Sequence, residues 1–320
     1  MKTTILRFAP YLKTVIWGGD KICTYKGIEQ TEPNIGESWE ISAVPGHESI
    51  VSEGKFEGMS LTDLISRFGA DLLGSSVFRR YSGNFPLLIK LIDACDNLSV
   101  QVHPDDALAR RRHGSLGKTE MWYIVDAEPG AKIYAGLNRK ITPEEYVELV
   151  EADRFQTVLA EHDAAAGDLF FLPAGRVHAI GAGNLLAEIQ ESSDITYRIY
   201  DYGRRDADGN TRELHTEMAK DAIDFNVYSD YKSPRVSDEE KDTMLVDCEH
   251  FHTRRLILDG RVTLTHDDSS FTVMMCISGN AVISCEGGET VISKGQTVLI
   301  PASLYSVTLT GRATLLLSRS

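Results

Sequence analysis

Residues 166–184, AGDLFFLPAGRVHAIGAGN, are the stretch of this sequence around which we expect the fold to be organised. Residues 168–172 predict a half-buried strand, and Pro173 ends it because proline cannot donate to a sheet ladder. Gly175 permits the tight turn that follows, and that turn aims His178. A histidine here binds a metal or is an ordinary hydrogen-bonded core residue, so other parts of the chain must decide.

The spacing within this stretch resembles a known motif. Five residues separate Gly167 from Pro173, one separates Pro173 from Gly175, and two separate Gly175 from His178. This pattern is similar to the second signature of the cupin family, in which such a histidine points into a small β-barrel and binds a metal.

Composition indicates a soluble globular protein. The chain has 320 residues, of which 42% are hydrophobic and 25% charged, and a prior of about 150 residues per domain suggests two domains. The net charge of −14 argues against nucleic acid or an anionic membrane as a partner. An anionic substrate would therefore need a local group of cationic residues.

Cysteine usage and hydropathy predict a cytoplasmic location. The five cysteines are scattered without a CxxC pair, which is typical of reduced thiols rather than of a disulfide framework. The N-terminus lacks a continuous apolar segment, and no run approaches the roughly 18 apolar residues of a membrane span.

Candidate ligands lie on separate predicted strands. Residues 98–103 alternate, so Gln101 and His103 share one face. Residues 117–136 predict two strands around a Pro-Gly turn, with Lys118 and Glu120 on one face. Residues 184–204 predict two more strands, which carry Glu188 and Arg198.

A metal site follows if these strands converge. Gln101, His103, Glu120 and His178 would supply two imidazole nitrogens and two side-chain oxygens, a set that suits Zn²⁺. Each also has an ordinary alternative: Gln101 as a surface residue, His103 hydrogen-bonded to Asp106, and Glu120 in a salt bridge at the rim.

Helical periodicity is limited to short segments. Caps of the Ser, Asp and Thr type and a stop glycine predict surface helices over residues 60–74, 107–109, 142–152 and 214–225. Residues 227–242 are polar and without pattern, and we interpret them as a linker.

The C-terminal segment repeats the motif of the opening stretch. Gly295 and Pro301 align with Gly167 and Pro173, while Ser306 stands where His178 does. Hairpin signals occur at residues 259–260, 278–280 and 287–288. The sequence thus predicts a mainly β protein of two cupin-like jelly-roll barrels with a few short peripheral helices. The catalytic unit would span residues 1–240. A degenerate barrel that binds no metal would span residues 241–320.

Longer motifs in the sequence resemble one enzyme family more closely than the short cupin signature does. Residues 85–106, 117–125, 167–183 and 187–204, with IWGG and GESWEIS before them, closely resemble the type I mannose-6-phosphate isomerases in their short bacterial form. The segment QVHPDD, residues 101–106, is the most specific match. The likeness runs from about Phe8 to about Phe225, and the helical segment at residues 142–152 is shorter than in the long forms.

The resemblance implies a zinc-dependent aldose–ketose isomerase that interconverts mannose 6-phosphate and fructose 6-phosphate through a cis-enediolate. It implies one zinc per chain, held by His103, Glu120 and His178 with Gln101. Arg198 falls on the active-site arginine of the family, while Lys118 and Glu188 fall on positions that line its pocket. The expected partner is a small sugar phosphate, bound by a monomer or weak homo-oligomer.

Several assignments stay open at this level. Arg198 could instead pair with Asp201 or Asp194, and the proton carrier is Lys118, Glu188 or a metal-bound water. The phosphate could meet Arg204 and Arg205, or else the run at residues 110–112, which is more typical of a solvated helix end.

Three other interpretations have less support. A cupin dioxygenase usually carries His-x-His where this chain has Gln-Val-His, and a non-catalytic sugar-phosphate sensor would normally carry a partner module. The segment CEHFH, residues 248–252, resembles a metal site, but the sequence offers no further ligands beside it.

Overall fold

The computed structural model of the chain describes residues 4–205 and 209–320, in which antiparallel strands dominate. Residues 1–3, with which the predicted catalytic unit begins, and residues 206–208 lie outside the described residues. Among the residues described, the strands form sheets of six, five and eight members.

Two of these sheets carry the candidate ligands. In spatial order, the six-stranded sheet contains β10 (Leu169–Leu172), β7 (Glu120–Ala127), β12 (Asn184–Glu191), β5 (Leu87–Ala94), β3 (Ile35–Ile41) and β2 (Tyr11–Gly19). The five-stranded sheet contains β13 (Tyr197–Tyr200), β6 (Val100–Val102), β11 (His178–Ile180), β8 (Lys132–Leu137) and β9 (Leu159–Asp163).

The eight-stranded sheet, which we call the C-terminal sheet, draws on both ends of the chain. It contains β14 (Asp242–Asp247), β15 (His252–Thr265), β19 (Ser306–Arg319), β16 (Thr272–Cys285), β18 (Thr297–Ile300), β1 (Leu6–Ala9) and β4 (Ile50–Val51), with β17 (Gly288–Ser293) paired to β16. Over the described residues each sheet runs from one edge strand to another. The mainly β class is confirmed, whereas closure into two barrels is not.

The helices are short and peripheral, as predicted. They are α1 (Lys21–Lys26), α2 (Leu61–Phe68), α3 (Ala70–Leu73), α4 (Ser75–Arg80), α5 (Asp106–His113), α6 (Pro143–Glu151) and α7 (Thr216–Lys220), with 3₁₀ turns at Gly54–Phe56 and Phe155–Val158. None of the helices described is long and apolar enough to cross a membrane.

Side-chain caps begin three of these helices where the sequence predicts them. The Ser60 hydroxyl accepts from the Asp63 N–H, the Thr142 hydroxyl from the Glu145 N–H, and the Asp105 carboxylate from the Leu108 N–H. Each cap satisfies a backbone donor that the first helical turn leaves free.

Three predicted helices have other bounds. The helix predicted over residues 107–109 is longer and runs from Asp106 to His113. The helix over residues 60–74 is broken at Gly69, whose φ of +49° lies outside the helical region. The helix over residues 214–225 ends at Lys220, because the Asp224 N–H donates to the Gly175 carbonyl of a neighbouring loop instead of continuing the helix.

The hairpins predicted at residues 259–260 and 278–280 are wrong, whereas the turn at residues 287–288 is present between β16 and β17. Gly260 pairs with Gly311 inside the long strands β15 and β19, and Gly279 lies inside β16. At Gly279, φ is +74° and an added Cβ would lie 2.0 Å from the Arg312 carbonyl oxygen. Glycine here allows a bend and a close backbone approach, not a chain reversal.

The predicted internal repeat has a structural counterpart. Gly167 and Gly295 have φ values of +87° and +79°, and in each case a four-residue strand begins two residues later. His178 and Ser306 each begin the following strand. The two motifs therefore share their local structure as well as their spacing.

Apolar layers hold the sheets together. Trp122 and Ile92 from the six-stranded sheet pack with Ala135 and Ile180 from the five-stranded sheet. The opposite face of the six-stranded sheet shares a core with the C-terminal sheet and with α2, through residues such as Leu91, Met275, Leu316 and Leu64. The candidate ligands thus lie between two sheets, and one of these is packed against a third.

Candidate active site

Strand register places three candidate residues side by side on the five-stranded sheet. Arg198 of β13 lies opposite Gln101 of β6, and Gln101 lies opposite His178 of β11. Directly opposed residues on antiparallel strands project to the same face. Arg198, Gln101 and His178 therefore form one row that faces the six-stranded sheet.

The six-stranded sheet presents a second row. Trp39, Lys90, Glu188 and Trp122 are opposed in turn across β3, β5, β12 and β7. Glu120 lies two residues before Trp122 on β7, so it projects from the same face. The two rows bring polar side chains together between sheets that are otherwise apolar.

The loop after β10 locks the ligand-bearing segments together. Gly175, with φ of +90°, donates its N–H to the His103 carbonyl at 2.9 Å, and the Ala174 N–H donates to the Thr119 hydroxyl at 3.3 Å. The turn that the sequence assigned to Gly175 thus ties the ends of β6 and β7 to the start of β11.

His103, Glu120 and His178 converge in a buried cluster whose ligand atoms lie within 4.8 Å of one another. Each histidine directs Nδ1 to a backbone carbonyl: Ile195 at 2.9 Å for His103, and Arg176 at 2.8 Å for His178. The Nε2 atoms are left at 3.5 and 3.3 Å from the Glu120 oxygens. Such outer hydrogen bonds fix the ring orientation of metal-binding histidines.

The electrostatics of this cluster suit a divalent cation. Burial lowers the pKa of His178 to about 4 and that of His103 well below its ordinary value, so both rings are neutral. Burial raises the pKa of Glu120 to about 7, against the opposing effect of Lys118. The two Nε2 atoms and Glu120 Oε1 are buried without a hydrogen-bond partner, whereas Glu120 Oε2 lies 3.1 Å from the Lys118 Nζ. A divalent cation would give these buried atoms the partner that buried polar groups normally have.

A cavity of about 350 Å³ opens beside the cluster and is lined by Gln101, Lys118, Glu188 and Arg198. Its cationic lining residues are Lys13, Lys90, Lys118, Arg198 and Arg212, and its carboxylates are Glu37, Glu188 and Asp194. Five positive charges against three negative make this pocket cationic in a chain whose net charge is −14.

Lys118 and Glu188 each belong to a buried ion pair beside the cluster, and the charge of Lys118 also acts on Glu188. The Lys118 Nζ lies 3.1 Å from a Glu120 oxygen, and the Lys90 Nζ lies 3.1 Å from a Glu188 oxygen. The other Glu188 oxygen accepts from the Trp122 indole at 2.8 Å. Burial raises the pKa of Glu188, but Lys90 and Lys118 outweigh it and the net pKa is lowered, so Glu188 is a carboxylate.

Arg198 is held through its backbone and one guanidinium nitrogen. Its N–H donates to His215 Nδ1 at 3.0 Å, and Nη1 donates to the Glu213 carbonyl at 2.9 Å. In the part of the chain described, Asp201 is paired with Arg204 and Arg212, and no ion pair joins Arg198 to a carboxylate. Its buried Nε has no hydrogen-bond partner, so a donor is available to a ligand.

The remaining cationic candidates lie elsewhere. Arg204 is engaged by Asp201 and the Asn97 carbonyl, Arg205 donates to the Gly209 carbonyl, and Arg112 pairs with Asp221. The pocket instead contains cations that the sequence reasoning missed, namely Lys13, Lys90 and Arg212. A lone lysine in the apolar strand LLIKLI was the available signal for Lys90.

The CEHFH segment is divided among other contacts. The Cys248 thiol donates to the Phe251 carbonyl, and His252 pairs with Asp247. His250, however, lies with Asp106 and Glu191, their ligand atoms within 4.8 Å of one another. The expectation that nothing nearby offers ligand atoms is therefore wrong, because Asp106 and Glu191 are distant in sequence.

Comparison with known families identifies the class of protein. Residues 241–320 match the model described as the cupin domain of mannose-6-phosphate isomerase. Residues 5–144 match the model of the catalytic domain of type I phosphomannose isomerase. The chain is thus a mainly β protein with a cupin domain.

Individual relatives cover nearly the whole chain. Mannose-6-phosphate isomerase from Streptococcus mutans is 34% identical, with 95% of each chain covered, and mannose-6-phosphate isomerase ManA from Bacillus subtilis is 35% identical, with 99% of each covered. The crystal structure of mannose 6-phosphate isomerase from Bacillus subtilis superposes with a TM-score of 0.88 at 31% identity, covering 98% of this chain and 99% of that one. The chain belongs to the type I phosphomannose isomerase family of enzymes, which confirms the resemblance seen in its motifs.

Proposed function

We propose that this chain interconverts mannose 6-phosphate and fructose 6-phosphate through a cis-enediolate, with one zinc ion per chain. The observation that carries the proposal is the buried His103–Glu120–His178 cluster beside a cationic pocket. The family relatives named above act on mannose 6-phosphate by name, and the pocket chemistry fits that substrate.

Charge supports a phosphorylated sugar as the substrate. A phosphate brings negative charge, and a cleft of the opposite sign raises its local concentration and its rate of association. Because the protein as a whole repels anions, the cations around the pocket provide the attraction. The volume of about 350 Å³ lies at the lower end of the range usual for small-molecule sites.

The metal ligands would be His103, Glu120 and His178, with Gln101 alongside. Neutral imidazole nitrogens and a carboxylate oxygen form a donor set that zinc prefers. Gln101, which lies opposite His178, and Lys118, which pairs with Glu120, line the neighbouring pocket. A bound zinc ion would supply a Lewis acid beside the sugar carbonyl.

The reaction moves a proton between neighbouring carbons. A proton leaves C2 of the aldose and one is added at C1, and a hydroxyl proton passes from the oxygen on C2 to the oxygen on C1. Between these transfers the two oxygens carry the negative charge of the enediolate. We assign the transfer of the carbon-bound proton to Lys118, which lines the pocket beside Glu120. As the free amine it would take the proton from C2, and as the resulting ammonium it would return one to C1. Both carboxylate oxygens of Glu188 are already bonded, to Lys90 and to the Trp122 indole. We therefore propose that Glu188 holds Lys90 in position.

Arg198 would stabilise the negative charge that develops on the sugar oxygens. Its guanidinium lines the pocket with one buried donor still available. A positioned cation of this kind contributes most in the transition state, where the charge is largest.

A coupled assay of mannose 6-phosphate conversion tests the function. Wild-type protein should form fructose 6-phosphate, and Lys118→Met should reduce turnover by about 100-fold or more. Lys132→Met is the matched control, because it removes a strand lysine whose exposed partners are Glu161 and Asp163. Absence of conversion by the wild type would refute the function, and normal turnover of Lys118→Met would refute the assignment of that residue.

The location, oligomeric state and domain division of the enzyme are a further part of what we propose. We infer a cytoplasmic protein that acts as a monomer or weak homo-oligomer. The chain would divide near residue 240 into two related jelly-roll units of unequal length, which we call the N-terminal and C-terminal halves. Support comes from the cysteines, none of which the described structure joins in a disulfide, and from the shared local structure of the two repeat motifs.

A further inference from the structure

His250 reaches from the C-terminal half into the half that contains the candidate active site. It lies between β14 and β15, and its Nδ1 is 2.9 Å from a side-chain oxygen of Glu191. Glu191 ends β12, the strand of Glu188, and is only 2% exposed. The contact therefore joins a C-terminal loop to a buried carboxylate of the six-stranded sheet.

Glu191 in turn holds Thr119 at two points. Its second carboxylate oxygen accepts from the Thr119 N–H at 2.7 Å, and its own N–H donates to the Thr119 carbonyl at 3.1 Å. Thr119 lies between Lys118 and Glu120, which both face the cluster. A displacement of Glu191 would therefore shift Thr119 and, with it, the residues on both sides, Lys118 and Glu120.

We propose that His250 is a positioning residue for the isomerisation. Its imidazolium holds Glu191 against Thr119 and thereby fixes Lys118 and Glu120 at the pocket. The inference rests on the proposed roles of Lys118 and Glu120, and it assigns the C-terminal half a part in catalysis beyond burial of apolar surface.

The charges around His250 favour its cationic form. It faces Glu191 from β12 and Asp106 from α5, with Glu249 beside it in its own loop. Arg80 pairs with Glu249, and Tyr81 of the same segment lies near Glu191. The hydrogen bond with Glu191 raises the pKa of His250 in spite of partial burial.

The direction of this shift sets the pH dependence. A raised pKa means that the ion pair is complete below the ordinary histidine value of 6.5 and is lost as the pH rises through the raised value. The contribution of His250 to catalysis should therefore be largest in mildly acidic solution and smallest in alkaline solution.

A divalent cation is the competing occupant of this cluster. Asp106, Glu191 and His250 offer ligand atoms within 4.8 Å of one another. A metal at Nδ1 and a proton on the same atom exclude each other, so the metal content of the protein distinguishes the two states.

The test is His250→Gln, which retains a hydrogen-bond donor and removes the charge. We expect kcat to fall about tenfold near pH 6, in the range of outer hydrogen-bond partners at metal sites, with KM little changed. The difference in kcat between His250→Gln and the wild type should become smaller at about pH 9. His250→Lys keeps a cation and should restore most of the turnover at both pH values.

The matched control is Tyr25→Phe. It removes another contact between the two halves, the hydrogen bond from the Tyr25 hydroxyl to the Ile277 carbonyl, at a place that is not part of the pocket. This variant should lower the melting temperature and leave kcat unchanged. The comparison separates a general loss of contact between the halves from the specific effect of His250.

Two results would overturn the inference. His250→Gln could show the wild-type kcat near pH 6 with only a lower melting temperature, as Tyr25→Phe should. Alternatively, wild-type protein could bind a second metal ion that His250→Gln loses. Normal turnover of Lys118→Met would instead refute the proposed function, whatever the result at His250.

Discussion

Single residues of the pocket act through partners that are remote in sequence. Glu37 illustrates this, because its oxygens meet Lys13 at 3.2 Å, Lys90 at 3.6 Å and the Trp39 indole at 2.7 Å. The carboxylate is buried, yet its charge is balanced by two lysines and a hydrogen bond. Such a network keeps the pocket cations in place without leaving a buried charge unpaired.

Arg198 is the residue whose removal should affect catalysis more than folding. Arg198→Ala should reduce kcat by about 100- to 1,000-fold, because a cation that stabilises developing charge is lost. Its loss costs the fold little, since over the described residues it makes no ion pair with a carboxylate. Steady-state kinetics together with thermal unfolding measure both quantities. Near-normal turnover, or unfolding at room temperature, would contradict this account.

Glu37 should make the free energy of unfolding depend on pH in acidic solution. Burial raises its pKa, but Lys90 and Lys13 outweigh it and lower the pKa to about 2. A lowered pKa stabilises the fold above the ordinary value of 4.5, and this contribution disappears as the pH falls through about 2. Glu37→Gln should therefore show a flatter fall in the free energy of unfolding over this range.

Denaturant titrations at several pH values measure that slope. Glu29→Gln, which removes an exposed carboxylate, is the control and should keep the slope of the wild type. An unchanged slope in Glu37→Gln would show that the Lys13 and Lys90 contacts do not stabilise the charged form.

Sequence reasoning reached some of these residues and missed others for a physical reason. His103, Glu120 and His178 stand next to signals that are local, namely strand alternation, a proline and a turn glycine. Lys13 and Arg212 carry no local signal of function. Their place in the pocket follows from which strands are neighbours, and that order is set by the packing of the whole chain.

At the scale of secondary-structure elements, glycines decide where segments bend. Sequence periodicity predicted one helix over residues 60–74, but Gly69 divides this segment into α2 and α3, and Gly74 separates α3 from α4. Gly74, with φ of +93°, packs against the backbone of the C-terminal half, where an added Cβ would lie 2.3 Å from the Ser269 carbonyl oxygen. Amphipathic spacing alone does not reveal such a contact.

Gly74→Ala should therefore be strongly destabilising. Left-handed strain costs a non-glycine residue about 1–2 kcal/mol, and steric overlap with the fixed backbone adds about 1–3 kcal/mol. Gly58→Ala is the matched control, because φ there is +81° and nothing lies within 4 Å of an added Cβ. Chemical denaturation should give a larger loss for Gly74→Ala, and equal losses would show that the contact with Ser269 contributes nothing.

At the scale of the whole molecule, the sheets do not follow the predicted boundary near residue 240. β1 pairs with β18 and β4, so residues before position 60 extend the C-terminal sheet. The predicted linker at residues 227–242 also packs on the fold, since the Tyr231 hydroxyl donates to the Leu137 carbonyl at 3.1 Å. The division into two units stays a prediction, and the shared core indicates that neither half is independent of the other.

The general architecture was accessible from the sequence because strand, turn and repeat signals are local. Closure and strand order were not, because they depend on contacts between distant segments. The echo of Gly167 and Pro173 at Gly295 and Pro301 predicted two related motifs correctly. It could not predict that β15, β16 and β19 extend over 14 residues each.

The metal dependence of isomerisation is the central claim, and one experiment measures it directly. Metal content and mannose 6-phosphate turnover are determined on the same protein before chelation, after chelation and after zinc is added back. We expect about one ion per chain, loss of activity with the ion, and recovery with zinc. His178→Ala should hold no ion at this site, whereas Ser306→Ala should match the wild type. Full turnover by metal-free protein, or undiminished metal in His178→Ala, would contradict the account.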